Sequence, residues 1–268
     1  MKELLIRTLT GGGFAVIILG SILWSPWAVF VVLGVFSAIG LYEFQRLVLA
    51  DEKAGLLYYF LGISVYALIG LMGMEVIDFS NFLLVLISFF IVIAAELFRF
   101  PTPSWRHIST AFTAFIYIAI PMGLMNSLFF IGNAGIDFPW ILLALFILVW
   151  ANDVFAYLVG SGFGKHKLFE RLSPGKTWEG SIGGLVFTLI FAWLFSLVAT
   201  NLDLTQWLGL ALIISLTANV GDLAESLLKR NAGVKDSGII FPGHGGVLDR
   251  FDAILFATPF VYFYLYIL

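Results

Sequence analysis

The chain contains no cysteine. Disulfides, thiolate nucleophiles and thiolate metal sites are therefore excluded. Charge is scarce as well: 12% of the 268 residues are Asp, Glu, Lys or Arg, against about 25% in soluble domains. Proline occurs eight times and histidine three. What fills the chain is apolar, with 61% hydrophobic residues and 17% aromatic ones. Apolar runs of about 18 or more residues recur along the whole length, each long enough to cross a bilayer as a helix. This composition argues against a soluble all-α core. It predicts an all-α, polytopic integral membrane protein. The first run has the basic flank of a signal peptide, but no small-residue cleavage site follows it, so it reads as a retained membrane helix. The net charge of −3 says little, because the distribution of charge matters more.

Nine spans are predicted, at about 9–24, 27–46, 55–74, 80–98, 107–131, 138–160, 178–200, 205–228 and 250–268. Sorting the basic residues by connection gives a regular alternation. Lys2 and Arg7 precede the first span. Arg46 and Lys53 lie in the second connection, and Arg99 and Arg106 in the fourth. Lys165, Lys167, Arg171 and Lys176 lie in the sixth, and Lys229, Arg230, Lys235 and Arg250 in the eighth. These are all 14 of the Lys and Arg residues. The odd-numbered connections carry only Glu75, Asp78, Asp137 and Asp203. The positive-inside rule then puts the N-terminus in the cytoplasm and the C-terminus outside. Residues 1–135 form a set of membrane helices with no assigned site. Residues 136–268 carry the sixth and eighth loops, which share the cytoplasmic side, where a soluble substrate can meet both.

Ser226–Asp252 is the densest concentration of charge in the chain. Such charge between apolar helices is costly near a membrane, which makes it a functional candidate. Its glycines (Gly233, Gly238, Gly243, Gly245 and Gly246) and Pro242 give a backbone able to fold closely around a ligand. Asp222, Glu225, Ser226 and Lys229 recur at i, i+3, i+4 and i+7, so they share one helical face. Asp249 and Asp252 are spaced i, i+3 where the last helix begins, and acids are favourable at a helix N-terminus. Asp222 and Asp249 are candidates to meet around a divalent cation, since Mg²⁺ takes one or two carboxylates plus substrate phosphates. The plainer reading pairs these acids with Lys229, Arg230 and Arg250. His244 stands in Pro-Gly-His-Gly-Gly, where backbone N–H groups can converge on an anion. It is a candidate to bond phosphate or to orient a metal ligand, although a lone loop histidine is more often ordinary.

In the sixth loop, Asn152 and Asp153 lie within the apolar span that leads in. A polar pair at membrane depth is functional by default, its alternative being a helix–helix hydrogen bond. Gly160, Gly162 and Gly164 are not preceded by a strand, so they are no dinucleotide fingerprint. Gly175-Lys176-Thr177 lacks the glycine that a P-loop needs five residues earlier, where Glu170 stands. What remains is Ser173-Pro174-Gly175-Lys176-Thr177-Trp178-Glu179-Gly180 at the start of a helix, a place that suits phosphate. Lys176 offers a point charge, and Ser173 and Thr177 offer hydroxyls. A solvated basic loop beside anionic lipid is the simpler alternative. Glu43 and Glu96 lie close to Arg46 and Arg99, and local i, i+3 pairing is a sufficient explanation for them.

The ordered pattern Ser226-x-x-Lys229-Arg230, four residues, Lys235-Asp236, then Pro242-x-His244-Gly245-Gly246-x-x-Asp249-Arg250-x-Asp252 resembles the signature of the phosphatidate cytidylyltransferases, or CDP-diacylglycerol synthases. The Ser173–Gly180 segment resembles the same family, whose usual form has two lysines where this chain has Gly175 and Lys176. The resemblance covers about residues 150–256. It implies a multi-helix membrane fold, the reaction of CTP with phosphatidate to give CDP-diacylglycerol and pyrophosphate, and dependence on Mg²⁺. A second cation and a homodimer are compatible with it, and no nucleic-acid partner is implied. The expected location is a bacterial cytoplasmic (inner) membrane with the active site facing the cytoplasm. In this reading Asp222 and Asp249 hold the metal. Lys176, Lys235, Asp236, His244 and Asp252 are the catalytic candidates. Asn152, Asp153, Ser173, Thr177, Ser226, Lys229, Arg230 and Arg250 are the substrate-binding ones. Two other readings stay open: a CTP-dependent enzyme acting on a polyprenol or ether lipid, and a transporter of anionic solutes.

Overall fold

The computed structural model describes residues 2–50, 55–98, 103–131, 138–243 and 245–268, with side chains from Thr8 onward. Among these residues nine helices follow one another. They are α1 (Lys2–Trp24), α2 (Pro26–Leu49), α3 (Leu56–Gly73), α4 (Phe82–Leu97), α5 (Trp105–Leu128), α6 (Trp140–Phe163), α7 (Trp178–Val198), α8 (Leu204–Asn231) and α9 (Leu248–Tyr266). The closest-set pair, α1 and α2, is divided at Ser25. Its hydroxyl caps α2 by accepting the Ala28 N–H at 3.1 Å, and Pro26 occupies the first helical position. There the missing N–H of proline costs nothing.

Among the described residues, seven helices, α2 to α8, are long and apolar enough to cross a membrane. Nine helices are described where nine spans were expected, and seven of them meet that standard. The apolar part of α1 described here, Thr8–Trp24, is shorter. In α9, Asp249, Arg250 and Asp252 crowd the first turns. The surface of α7 shows what the composition implies. Ile182, Val186, Ile190 and Trp193 form one exposed apolar stripe, which in water would be an aggregation-prone patch and in a bilayer meets lipid.

The chain divides into two compact units, residues 1–130 with 231–250, and residues 131–230 with 251–268. In the first unit α2, α3 and α5 bury Leu33, Leu41, Val65, Tyr66, Phe115 and Met122. A π-helical turn, Phe115–Ala119, interrupts α5, ending two residues before Pro121, which cannot donate to the regular ladder. In the second unit α6 lies along α7. Gly180 and Gly184, a small-xxx-small pair, allow the close approach. A Cβ at Gly184 would stand 2.8 Å from the Asn152 carbonyl oxygen.

One element departs from the all-α expectation. The sixth connection folds as an antiparallel hairpin, β1 (Lys167–Phe169) and β2 (Ser173–Thr177), with Lys167 opposite Thr177 and Phe169 opposite Ser173. The Lys167 ammonium donates to the Pro174 carbonyl at 2.7 Å across it.

Candidate active site

In the second unit a cavity of about 320 Å³ opens beside the C-terminal halves of α6 and α8, the hairpin and the start of α7. This is at the small end of the ligand-pocket range, about 300–1,000 Å³. Six expected residues line it: Asn152, Asp153, Ser173, Lys176, Thr177 and Asp222. Each is placed by its own element. Thr177 caps α7, its Oγ1 accepting the Gly180 N–H at 3.1 Å. That cap fixes the helix start on which the hairpin ends. Lys176, one residue earlier on β2, extends to Asp222 of α8, where the two form an ion pair with both side chains mostly covered. A cation and an acid expected to serve a phosphate and a metal thus lie side by side.

Asn152 is buried, and its Oδ1 accepts the Ser215 hydroxyl at 2.7 Å. It makes the helix–helix hydrogen bond that was the alternative to a binding role, and it also lines the cavity. Tyr157, Ser161, Ser181 and Asn219 complete the polar lining. The Ser181 hydroxyl donates to Asn219 Oδ1 at 3.3 Å. No site had been assigned to these four, because single hydroxyls and amides on an apolar helix give no spacing signal. The hairpin is fastened to α7 by Glu179. Its carboxylate accepts the Lys165 and His166 N–H groups at 3.1 and 3.2 Å and contacts His166 Nδ1 at 2.5 Å.

Asp252, at the start of α9, lies within electrostatic reach of Asp222, Glu225 and Asp153. Two of these acids, Asp222 and Glu225, are each paired with a lysine, and the remaining negative charge favours a bound cation. Glu225 is buried and pairs with Lys229 one turn on, which is the plainer pairing in part. Ser226 is half-buried and Arg230 is exposed further along the same helix. Among the described residues no three Asp, Glu or His side chains converge tightly enough to hold a metal by themselves. Mg²⁺ does not need three, because substrate phosphates and water complete its shell. The hard oxygen donors around Asp222 therefore fit Mg²⁺.

Lys235, Asp236, Asp249 and Arg250 belong to the first unit. Lys235 and Asp236 are exposed. Asp249 Oδ2 accepts the Ser237 N–H at 2.7 Å and the Gly246 N–H at 2.8 Å. Arg250 is half-buried, and its Nε has no hydrogen-bond partner among the described residues. Unpaired buried donors are rare and call for an explanation such as a ligand. His244 lies outside the described residues. The loop tip is seated on the N-terminal helices. The Phe241 ring packs between Phe14 and Phe36, with centroids at 5.6 and 6.3 Å, and the Thr10 hydroxyl donates to the Pro242 carbonyl at 3.2 Å.

The local pairing expected of Glu43 with Arg46 is not what the structure shows, and Arg99, the partner expected for Glu96, lies outside the described residues. Glu96 Oε1 contacts His107 Nδ1 at 2.8 Å and accepts the Ser104 N–H at 3.0 Å. Glu43 turns to the 231–250 segment, accepting the Val247 and Leu248 N–H groups at 3.0 Å each. The signal that could have found Glu43 was present: an acid at membrane depth. The nearby Arg46 gave it a local explanation instead.

Fold and cavity define an integral membrane protein with a charged, ligand-sized site set among its helices. The chain belongs to the cytidylyltransferase family, which it matches over residues 5–268. It is 33% identical over 273 residues to a protein of Bacillus subtilis (strain 168) named phosphatidate cytidylyltransferase, an alignment covering 99% of this chain and 98% of that one. A protein of the same name from Haemophilus influenzae is 47% identical over 135 residues, 48% of this chain and 47% of its own length. One from Staphylococcus aureus (strain COL) is 45% identical over 148 residues, 54% of this chain and 56% of its own. The matched stretch thus spans about half the length of these two relatives and nearly all of the first.

Proposed function

We propose that the chain transfers a cytidylyl group from CTP to phosphatidate, giving CDP-diacylglycerol and pyrophosphate for phospholipid synthesis. The observation that carries this reading is the cavity of the second unit, where Lys176 meets Asp222 beside Asp252, Glu225 and Asp153. It is supported by membership of the cytidylyltransferase family over nearly the whole chain and by the full-length relative named for this activity.

In the reaction a phosphate oxygen of phosphatidate attacks the α-phosphorus of CTP. The bond from that phosphorus to the oxygen bridging to the β-phosphate breaks, and pyrophosphate leaves with the electron pair. No covalent enzyme intermediate is needed. The requirement is to bring two anions together in line and to neutralise the charge that builds on the leaving group. Lys176 holds a phosphate at the cavity, and Lys229 and Arg230 attract the triphosphate from the cytoplasm. Lys235 and Arg250 supply further positive charge, and Asp236 orients partners. Bound Mg²⁺ supplies neutralisation of the phosphates, and Asp222 with its neighbouring acids would hold it. We also assign Asp249 to the metal and His244 to phosphate. The phosphatidate acyl chains stay in the bilayer, and the reaction faces the cytoplasm of a bacterial inner membrane, the side marked by the basic loops.

Purified protein is incubated in detergent with labelled CTP, Mg²⁺ and a lipid panel of phosphatidate, an archaeal-type ether phosphatidate and a polyprenyl phosphate. Label is expected in CDP-diacylglycerol, with one pyrophosphate per lipid. Label only in an ether-lipid or polyprenyl product would overturn the substrate. Absence of pyrophosphate with every lipid would overturn the enzyme reading.

A further inference from the structure

We infer that Glu43, in the N-terminal half of the chain, is a positioning residue for the reaction, holding the segment that carries Lys235, Asp236 and Arg250. The inference rests on the function proposed above for that segment. Glu43 lies in α2, 194 to 205 residues from the groups it touches, and is buried at 3% exposure. Its Oε1 accepts the Val247 N–H and its Oε2 the Leu248 N–H, both at 3.0 Å. These are backbone groups at the start of α9, where helix N–H groups have no partner of their own. An acid there is also favoured by the helix dipole. Ser237 Oγ stands 3.1 Å from Glu43 Oε2 and 2.9 Å from Asp249 Oδ2. One hydroxyl therefore lies between two carboxylates, and four backbone N–H groups, of Ser237, Gly246, Val247 and Leu248, donate hydrogen bonds to them.

The glycines of the segment carry the same message. A Cβ at Gly238 or at Gly246 would run into a Glu43 carboxylate oxygen. From sequence alone these glycines look like room for a ligand. At these two positions the backbone is wrapped around Glu43 instead. Lys235 and Asp236 lie immediately before Ser237, and Arg250 lies two residues after Leu248. Both ends of the proposed phosphate-handling segment are therefore tied to one carboxylate from α2.

The test compares the full-length protein with Glu43→Gln. Glutamine keeps the size but offers one acceptor and sets an NH₂ against a donor. Two readouts are followed: steady-state CDP-diacylglycerol formation, and tryptic cleavage after Lys235 with cleavage after Lys165 as reference. Expected are a fall in kcat of about tenfold, KM values for CTP and phosphatidate within about threefold of wild type, and cleavage after Lys235 faster by about tenfold. Cleavage after Lys165 stays unchanged. Ser237→Ala removes only the shared hydroxyl and gives the same two changes at about threefold. It serves alone if Glu43→Gln does not fold. A wild-type kcat, or a lowered kcat with unchanged cleavage after Lys235, overturns the inference. If the wild-type protein forms no CDP-diacylglycerol, the proposed function has failed, and the cleavage ratio still decides whether Glu43 holds the segment.

Discussion

Lys176 and Asp222 show how a single polar pair organises an apolar surrounding. Each would be costly alone at the edge of a bilayer, and each is neutralised by the other. Removing one leaves the other as an uncompensated, largely covered charge, a situation worse than removing both. Lys176→Met is therefore expected to lower kcat/KM for CTP by at least about a hundredfold, and Lys176→Arg to recover part of that. Steady-state kinetics in detergent decide it, and a Lys176→Met variant within about threefold of wild type excludes Lys176 from the chemistry. These two residues were legible in the sequence because charge on an apolar background stands out. So was Asp252, whose neighbours Asp222, Glu225 and Asp153 shared a helical face or a span with other polar groups. Glu43 was visible but misread. Its partners are the backbone N–H groups of Val247 and Leu248, and no side-chain pattern announces a backbone donor.

At the scale of elements, the helices were readable because an apolar run of bilayer length has few alternatives. The hairpin was not. Strands of three and five residues, Lys167–Phe169 and Ser173–Thr177, are too short for an alternation to show. The π-helical turn in α5 also left no signal, since Phe115–Ala119 is as apolar as the turns around it. Gly175 sits on β2 where relatives of this family are expected to have a lysine. A Cβ there meets nothing within 4 Å, and the residue lines the cavity. A long side chain therefore fits. Gly175→Lys is expected to fold normally, lower KM for CTP by about twofold to fivefold, and make that KM more sensitive to salt, as added surface charge should. A titration of KM against ionic strength checks this. An unchanged KM at low salt shows that the site does not use charge at position 175.

At the scale of the whole molecule, the division into units is what sequence order conceals. Residues 231–250 leave the C-terminal helices and join the N-terminal ones, held by Glu43, Phe14 and Phe36. Long-range contacts of this kind depend on shape and on backbone donors, which periodicity does not report. The helical, membrane-spanning character and the family were legible, because composition and an ordered motif carry them. In the proposed reaction it is Asp222, among its neighbouring acids, that makes turnover depend on Mg²⁺. This role is tested most directly by measuring CDP-diacylglycerol formation from CTP and phosphatidate across a Mg²⁺ titration, for the wild-type protein and for Asp222→Asn, both purified in detergent. Expected are saturable Mg²⁺-dependent turnover for the wild type, and loss of at least about a thousandfold for Asp222→Asn despite normal insertion and purification. Near-normal turnover of the variant, with an unchanged Mg²⁺ dependence, would contradict this role.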